Sequence, residues 1–143
     1  MASVYLQSIT GFAQQIQARS HQLRADEPLS NGGTDSGPAP YELLLAGLAA
    51  CTSLTLRMYA DRKQWDLGLI DVRLHFARDE QGRESIGRTV AFGAQLSPEQ
   101  IARLAEICEK TPVTKTIRQG TEILTTLSPT RLDPAANSRN KPF

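Results

Sequence analysis

The chain has 143 residues, of which 40% are hydrophobic and 22% charged, so it carries enough apolar material for the core of one ordinary globular domain. Its 16 basic and 15 acidic residues leave a formal net charge of +1, and the basic residues form no cluster larger than the pair Arg62-Lys63. Because no phosphate-neutralising surface is evident, we do not expect nucleic acid as a partner.

The N-terminus has no basic segment followed by a sustained apolar stretch, so no secretory signal is predicted and a cytoplasmic location is expected. The longest apolar run, Leu43–Cys51, is far shorter than the roughly 18 residues of a membrane span, so no membrane partner is expected. The two cysteines form no Cys-x-x-Cys motif, and His21 and His75 have no ligand spacing around them. We therefore predict no disulfide framework and no metal site.

The first part of the chain shows short strand patterns. Residues 3–9 and 12–18 alternate between apolar and polar side chains, and Thr10-Gly11 between them favours the tight turn of a hairpin. A third extended piece, His21–Arg24, leads into a long loop rich in Gly, Ser, Asp and Pro. We expect this loop to cover a site.

A long helix is predicted from Pro40 to about Gln64. Pro40 supplies a suitable fixed dihedral angle in the first turn, and Glu42 complements the positive end of the helix. The first half is apolar nearly all round and rich in Ala, so it is expected to be buried on most sides. Cys51 lies in this half.

Two further strands are predicted over residues 69–77 and 85–96, where apolar and polar side chains alternate on either side of a turn. They form a second hairpin with one face on the core. Arg88 interrupts the apolar face of the second strand, so we expect it near the edge of that face.

The sequence Ser97-Pro98-Glu99-Gln100 predicts a capped helix start, and the helix is expected to run to about Lys110 with Cys108 on its inward face. Residues 120–127 are predicted to form a last strand. We therefore expect a single domain over residues 1–127, followed by a polar, Pro-containing tail over residues 128–143.

Cys51 admits two interpretations from the residues alone. A cysteine in an Ala-rich helix is usually a small packing hydrophobe. A functional role requires the thiolate, because the anion is the nucleophile toward a peroxide oxygen or a disulfide. Cys51 lies about three turns into its helix, too deep for the helix dipole to help, so an activating neighbour must come from elsewhere in the fold.

Six segments in chain order carry a family resemblance: Asp26-Glu27-Pro28, Gly32–Pro38, Pro40–Leu44, Ala49–Thr52, Tyr59–Lys63 and Pro112-Val113. Together they resemble the OsmC/Ohr family, the osmotically inducible and organic hydroperoxide resistance proteins. They are more similar to its general OsmC-like branch than to the hydroperoxide-resistance branch.

This resemblance implies an α+β fold in which two antiparallel β-hairpin sheets surround a long central helix and a second helix, within an intertwined homodimer. It also implies thiol-dependent reduction of organic hydroperoxides in oxidative and osmotic stress defence, without a cofactor. In that scheme Cys51 is the peroxidatic residue and becomes a sulfenic acid. A second thiol condenses with it to a disulfide, and an external dithiol restores the enzyme.

The chain departs from the family pattern at the second thiol. The family usually carries a cysteine directly before the Pro-Val step, but Thr111 stands there and Cys108 is the only other thiol. Positions 108 and 111 are expected to share one helix face, one turn apart. Either Cys108 comes within about 7 Å of Cys51 between α carbons, or an external thiol resolves the sulfenic acid.

The acid and the arginine of the family site also align imperfectly. The peroxidase branch places a Glu where Tyr41 stands, so Glu42 either substitutes for it or only favours the helix N-terminus. Arg19 and Arg24 are the candidates for the activating arginine, and either is equally a solvated surface charge. The rival function is a non-enzymatic stress or small-molecule-binding protein of the same fold, which the missing thiol and shifted acid favour.

Overall fold

This computed structural model describes residues 2–134. They contain five strands, three α-helices and a short 3₁₀ turn, joined by loops. These residues form two compact units. One is Leu44–Glu122, and the other consists of the segments before Leu44 and after Glu122. The predicted α+β class is confirmed.

The N-terminal unit contains a three-stranded antiparallel sheet in the order β1-β2-β3. Its strands are β1 (Tyr5–Ser8), β2 (Gln14–Ala18) and β3 (His21–Ala25). The register places Leu6 opposite Ile16, and Ile16 opposite Leu23. The predicted hairpin is therefore confirmed, and the third extended piece pairs with β2 to make the sheet a three-stranded meander.

The loop after β3 is organised around one buried carboxylate, that of Asp26. Its oxygens accept hydrogen bonds from the hydroxyl of Thr34 at 2.6 Å, the hydroxyl of Ser36 at 2.8 Å and the backbone N–H of Glu27 at 2.8 Å. The backbone N–H groups of Thr34 and Ser36 donate as well. These hydrogen bonds, with that of the Thr34 hydroxyl the largest contribution, hold the pKa of Asp26 well below its ordinary value.

The same loop packs so closely that a glycine is required within it. A β carbon added at Gly33 would lie 1.9 Å from the backbone carbonyl oxygen of Glu27. Gly33 therefore permits the backbone approach that lets the segment fold back over Asp26.

The long helix α1 (Pro40–Lys63) agrees with its predicted bounds. Its buried residues recur every fourth position, at Leu48, Thr52, Leu56 and Ala60, and form one narrow stripe. The expected burial of the first half on most sides is therefore wrong for the single chain, in which only this stripe of α1 is fully buried. By length and composition α1 would also suffice to cross a membrane, which is weak evidence because core helices of soluble proteins pass the same test.

The second unit holds a hairpin of two nine-residue strands, β4 (Ile70–Arg78) and β5 (Glu84–Phe92). It also holds the helices α2 (Pro98–Cys108) and α3 (Pro112–Gln119). Its buried core consists of Leu56, Ala60, Leu67, Leu104 and Cys108. Burying each leucine contributes about 1.5–3 kcal/mol relative to exposing it. This core joins α1 to α2.

The start of α2 follows the sequence prediction. The backbone N–H of Gln100 donates to the Ser97 hydroxyl at 3.2 Å, and the backbone N–H of Ser97 donates to the Gln100 side chain at 2.8 Å. The capping box is therefore confirmed.

The chain after α2 differs from the prediction. Helix α2 ends at Cys108, and Thr111 is extended (φ −65°, ψ 146°) where it precedes α3, a helix not predicted from the sequence. Positions 108 and 111 therefore do not share a helix face, because Pro112 disfavours a helical residue before it and instead begins a new helix.

The strand predicted over residues 120–127 is wrong, because these residues pair with no other strand of the described chain. Its apolar side chains are left exposed, Ile123 by 85% and Leu127 by 90%. A strand needs a neighbouring edge to satisfy its backbone groups. Of the predicted tail, residues 128–134 are irregular and residues 135–143 lie outside the described residues. The single domain over residues 1–127 stays a prediction.

We expect Asp26→Asn to lower the free energy of unfolding at neutral pH, because an amide cannot accept every hydrogen bond that the carboxylate accepts. The folded-state pKa of Asp26 lies below its unfolded value near 3.8, so the wild-type advantage is full above that value and declines as the pH falls below it. Urea unfolding of the wild type and of Asp26→Asn, at neutral pH and at about pH 3, measures the stability difference and its dependence on pH. Asp35→Asn, at an exposed position of the same loop, is the control, and an equal effect of Asp26→Asn at both pH values contradicts the prediction.

Candidate functional site

Cys51 lies in α1 at the border of the buried stripe. The next residue, Thr52, is fully buried, and its hydroxyl donates to the backbone carbonyl of Leu48 at 2.8 Å. One residue turns a helix by about 100°, so Cys51 projects to the side of the stripe and is half-buried. Its thiol is therefore partly open to a small reactant.

A largely buried arginine lies beside Thr52. Arg88 comes from the middle of β5, and only 12% of its side chain is exposed. Its Nη1 donates to the hydroxyls of Thr52 and Thr114, each at 3.0 Å. Its Nη2 donates to the backbone carbonyl of Cys108 at 2.9 Å and to the Glu109 carboxylate at 3.2 Å. One guanidinium thus connects α1, the end of α2 and the start of α3.

The expectation that Arg88 lies near the edge of its apolar face is wrong. A guanidinium can be buried when its donors are satisfied, and here four acceptors surround it. The signal in the sequence was the single charged side chain at an apolar position of a half-buried strand. Spacing alone could not show where its partners were.

The position before Pro112 belongs to the same polar group. Thr111 is fully buried, and its hydroxyl is 2.6 Å from that of Thr114, which in turn lies 3.4 Å from the Cys108 carbonyl. We call Arg88, Thr52, Thr111, Thr114 and the Cys108 carbonyl the Arg88 cluster. Where the family resemblance expects a thiol, this chain therefore has a hydroxyl that is engaged inside the cluster.

Cys108 is the last residue of α2 and is buried, as its place on the inward helix face predicted. Burial raises the pKa of its thiol, and the positive charge of Arg88 opposes that rise. Cys108 is therefore a protonated, shielded thiol, in contrast to the half-buried Cys51.

Glu109 is a half-exposed carboxylate that forms an ion pair with Arg88. Its carboxylate accepts hydrogen bonds from Arg118 of α3 and from Arg88. The hydrogen bond from Arg118 is the largest of the effects that hold the pKa of Glu109 below its usual value. Glu109 is therefore ionised at neutral pH and is the carboxylate that pairs with the Arg88 guanidinium.

The other predicted site residues lie in the N-terminal unit, whereas Cys51 lies in the second unit. Glu42 accepts a hydrogen bond from the backbone N–H of Ala39 at 2.8 Å, which caps the start of α1 and fits its simpler interpretation. Arg19 is exposed in the turn between β2 and β3, and Arg24 is exposed on β3. Catalytic roles for these three residues stay predictions.

Residues 2–134 contain no group of three or more His, Cys, Asp or Glu side chains that could hold a metal ion.

The sequence model described as OsmC-like protein matches residues 33–126, which is more than half of the chain. The chain belongs to the OsmC-like protein family. No curated protein matches it significantly. The family resemblance inferred from the sequence is therefore confirmed.

Solved structures agree with this family. The fold is similar to that of an osmotic stress induced and detoxification response protein from Psychrobacter arcticus (17% identity, 81% of this chain and 88% of that chain, TM-score 0.72). It is also similar to an organic hydroperoxide resistance protein OsmC from Legionella pneumophila (18% identity, 82% and 89% covered, TM-score 0.62). The organic hydroperoxide resistance protein OhrB of Bacillus subtilis is 25% identical, with 82% and 90% covered and a TM-score of 0.58. The OsmC-like fold is thereby confirmed, whereas the homodimer stays a prediction.

We expect iodoacetamide to modify Cys51 about tenfold or more faster than Cys108 in the folded protein, because Cys108 is more buried and its pKa is raised. Peptide mapping of timed samples measures both rates. In urea the two rates should converge. Equal rates in the folded protein, or faster modification of Cys108, contradict this assignment of the two environments.

Proposed function

We propose that this chain is a thiol-dependent peroxidase that reduces organic hydroperoxides, with Cys51 as the peroxidatic residue. The observation that carries the proposal is the half-buried thiol placed directly before Thr52, whose hydroxyl contacts the largely buried Arg88, in a chain of the OsmC-like family. The names of the Legionella and Bacillus proteins support organic hydroperoxides as the substrate class.

In the first step the Cys51 thiolate attacks an oxygen of the hydroperoxide. A sulfur–oxygen bond forms and the oxygen–oxygen bond breaks. The leaving alkoxide takes up a proton and departs as an alcohol. The peroxide is reduced by two electrons, and Cys51 is oxidised to a sulfenic acid.

In the second step Cys108 resolves the sulfenic acid. The Cys108 thiol gives up its proton and attacks the Cys51 sulfur, a disulfide forms, and hydroxide leaves and is protonated to water. Arg88 supports this pairing, because it contacts both the residue after Cys51 and the Cys108 carbonyl. An external dithiol then reduces the disulfide and restores both thiols.

We further propose that the protein acts as a homodimer in the cytoplasm. Several large apolar side chains of α1 are exposed in the single chain, among them Leu54 and Met58, each by 60%. An apolar surface of this kind supports burial against a second copy.

A non-enzymatic stress or small-molecule-binding protein is the second candidate. It is favoured by the hydroxyl of Thr111 in place of the usual thiol and by the shielding of Cys108. Retained packing would then explain Cys51.

We expect one equivalent of an alkyl hydroperoxide to remove two hydrogen atoms from the mass of the reduced protein, with the loss mapped to a Cys51–Cys108 disulfide. Cys51→Ser should abolish peroxide consumption, because it removes the nucleophile. Cys108→Ser should leave a sulfenic or sulfinic acid on Cys51. If resolution by Cys108 is obligatory, this variant should also stop turning over peroxide when the dithiol is the sole reductant.

The controls separate the candidates. Continued turnover of Cys108→Ser keeps Cys51 as the peroxidatic residue but assigns resolution to the external thiol. An unchanged mass and unconsumed peroxide with the wild-type protein exclude the peroxidase and leave the non-enzymatic candidate.

A further inference from the structure

We propose that Arg88 is a positioning residue for the resolving step, holding the Cys108 end of α2 against the turn of α1 that carries Cys51. The inference rests on the proposed peroxidase function and deepens it. It assigns to a side chain of β5 a role that concerns the second half-reaction rather than the attack on the peroxide.

The first argument is the cost of placing an arginine there. Arg88 lies on the inward side of β5 with Val90 and Phe92, which pack against the apolar core of the second unit. An apolar side chain would fill that position without desolvating a charge, and buried ion pairs are seldom more stabilising than well-packed apolar residues. The nearest carboxylate, that of Glu109, is itself about half exposed and only partly compensates the charge. Stability alone therefore does not explain an arginine here.

The second argument is the choice of acceptors. Nη1 reaches Thr52, which is covalently next to Cys51, and Nη2 reaches the carbonyl of Cys108 itself. Both nitrogens belong to one rigid planar group, so the two thiol-bearing segments are fixed at the same guanidinium. Lysine carries the same charge but has a single amino nitrogen in place of these two fixed donors.

The third argument is the end of α2. Its last carbonyl groups lack partners within the helix, and the Cys108 carbonyl is one of them. Arg88 supplies a hydrogen bond and a positive charge at this negative helix end. Thr114 accepts a hydrogen bond from the Nη1 of Arg88, which fixes the first turn of α3 after residues 109–111. The backbone on both sides of residues 109–111 is thereby tied to β5.

The charge of Arg88 has a second effect on the same step. Condensation requires Cys108 to lose its proton, which burial makes harder and Arg88 makes easier. The charged groups that face Cys108 are Arg88 from β5 and Glu109 from the segment after α2, and Arg118 of α3 acts through Glu109. Removal of Arg88 is therefore expected to move the pH dependence of disulfide formation upward.

The experiment separates the two half-reactions in the full-length protein. Reduced protein is mixed with an alkyl hydroperoxide, and quenched samples are assayed for sulfenic acid at Cys51 and for the Cys51–Cys108 disulfide. We expect Arg88→Lys to change the rate of sulfenic acid formation by less than about twofold and to slow disulfide formation by about tenfold or more, because small misplacements of reacting groups cost rate steeply.

Arg88→Gln tests the charge. It should slow disulfide formation and also shift the midpoint of its pH profile upward, a change that a merely structural role does not produce. Arg83→Gln is the matched control, since Arg83 is an exposed arginine that pairs with Asp79 in the turn before β5. It should leave both rates and the pH profile near those of the wild type.

Thr114→Val keeps the test decisive if the Arg88 variants fail to fold. It removes one acceptor of Nη1 and leaves the charge in place, so disulfide formation should slow without a shift in its pH profile. A wild-type rate in Thr114→Val then overturns the positioning role.

The outcomes distinguish the inference from the function beneath it. Disulfide formation at wild-type rates in folded Arg88→Lys and Arg88→Gln overturns the role of Arg88 alone. Wild-type protein that forms a stable sulfenic acid but no disulfide also overturns that role while sparing the peroxidase. Wild-type protein that never oxidises at Cys51 overturns the proposed function, and the role of Arg88 with it.

Discussion

The largely buried guanidinium of Arg88 is the constraint on which the second unit depends. A charged group removed from water must have its donors satisfied. The acceptors that satisfy the Arg88 guanidinium come from α1, the end of α2 and the start of α3. Helix α3 is only eight residues long, so tertiary contacts rather than its own hydrogen bonds must hold it. The surroundings of both thiols therefore depend on one side chain of β5.

The two cysteines have different environments because they occupy different positions on their helices. Cys51 borders the buried stripe of α1 and is half-buried, whereas Cys108 faces the core and is shielded. A nucleophile that must meet a small substrate needs access, while a thiol that attacks only an oxidised partner does not. The asymmetry therefore fits the two roles proposed, and Thr111 adds a hydroxyl to the cluster rather than a third thiol.

The N-terminal unit depends on a different carboxylate. The Asp26 carboxylate accepts hydrogen bonds from N–H and hydroxyl groups of the loop that follows β3. These hydrogen bonds hold the loop in place although it contains little regular structure. In contrast, residues 120–127 have no comparable anchor and expose their apolar side chains. That exposure, like that of Leu54 and Met58 on α1, is the kind of surface that the predicted homodimer is expected to cover.

The sequence by itself determined the elements whose signals are local: both hairpins, the start of α1 at Pro40 and the capping box at Ser97, as well as the segments around Cys51 that indicated the family. Alternation, caps and turns act over a few neighbouring residues, so they can be read without a fold. Only the tertiary structure decided that Arg88 is largely buried, that Thr111 precedes a new helix and that residues 120–127 pair with no strand of the described chain. Arg88 and Thr52 are 36 positions apart, and Arg88 and Thr114 are 26 apart. Such contacts depend on how the elements pack, because a hydrogen bond between distant residues leaves no spacing pattern in the sequence.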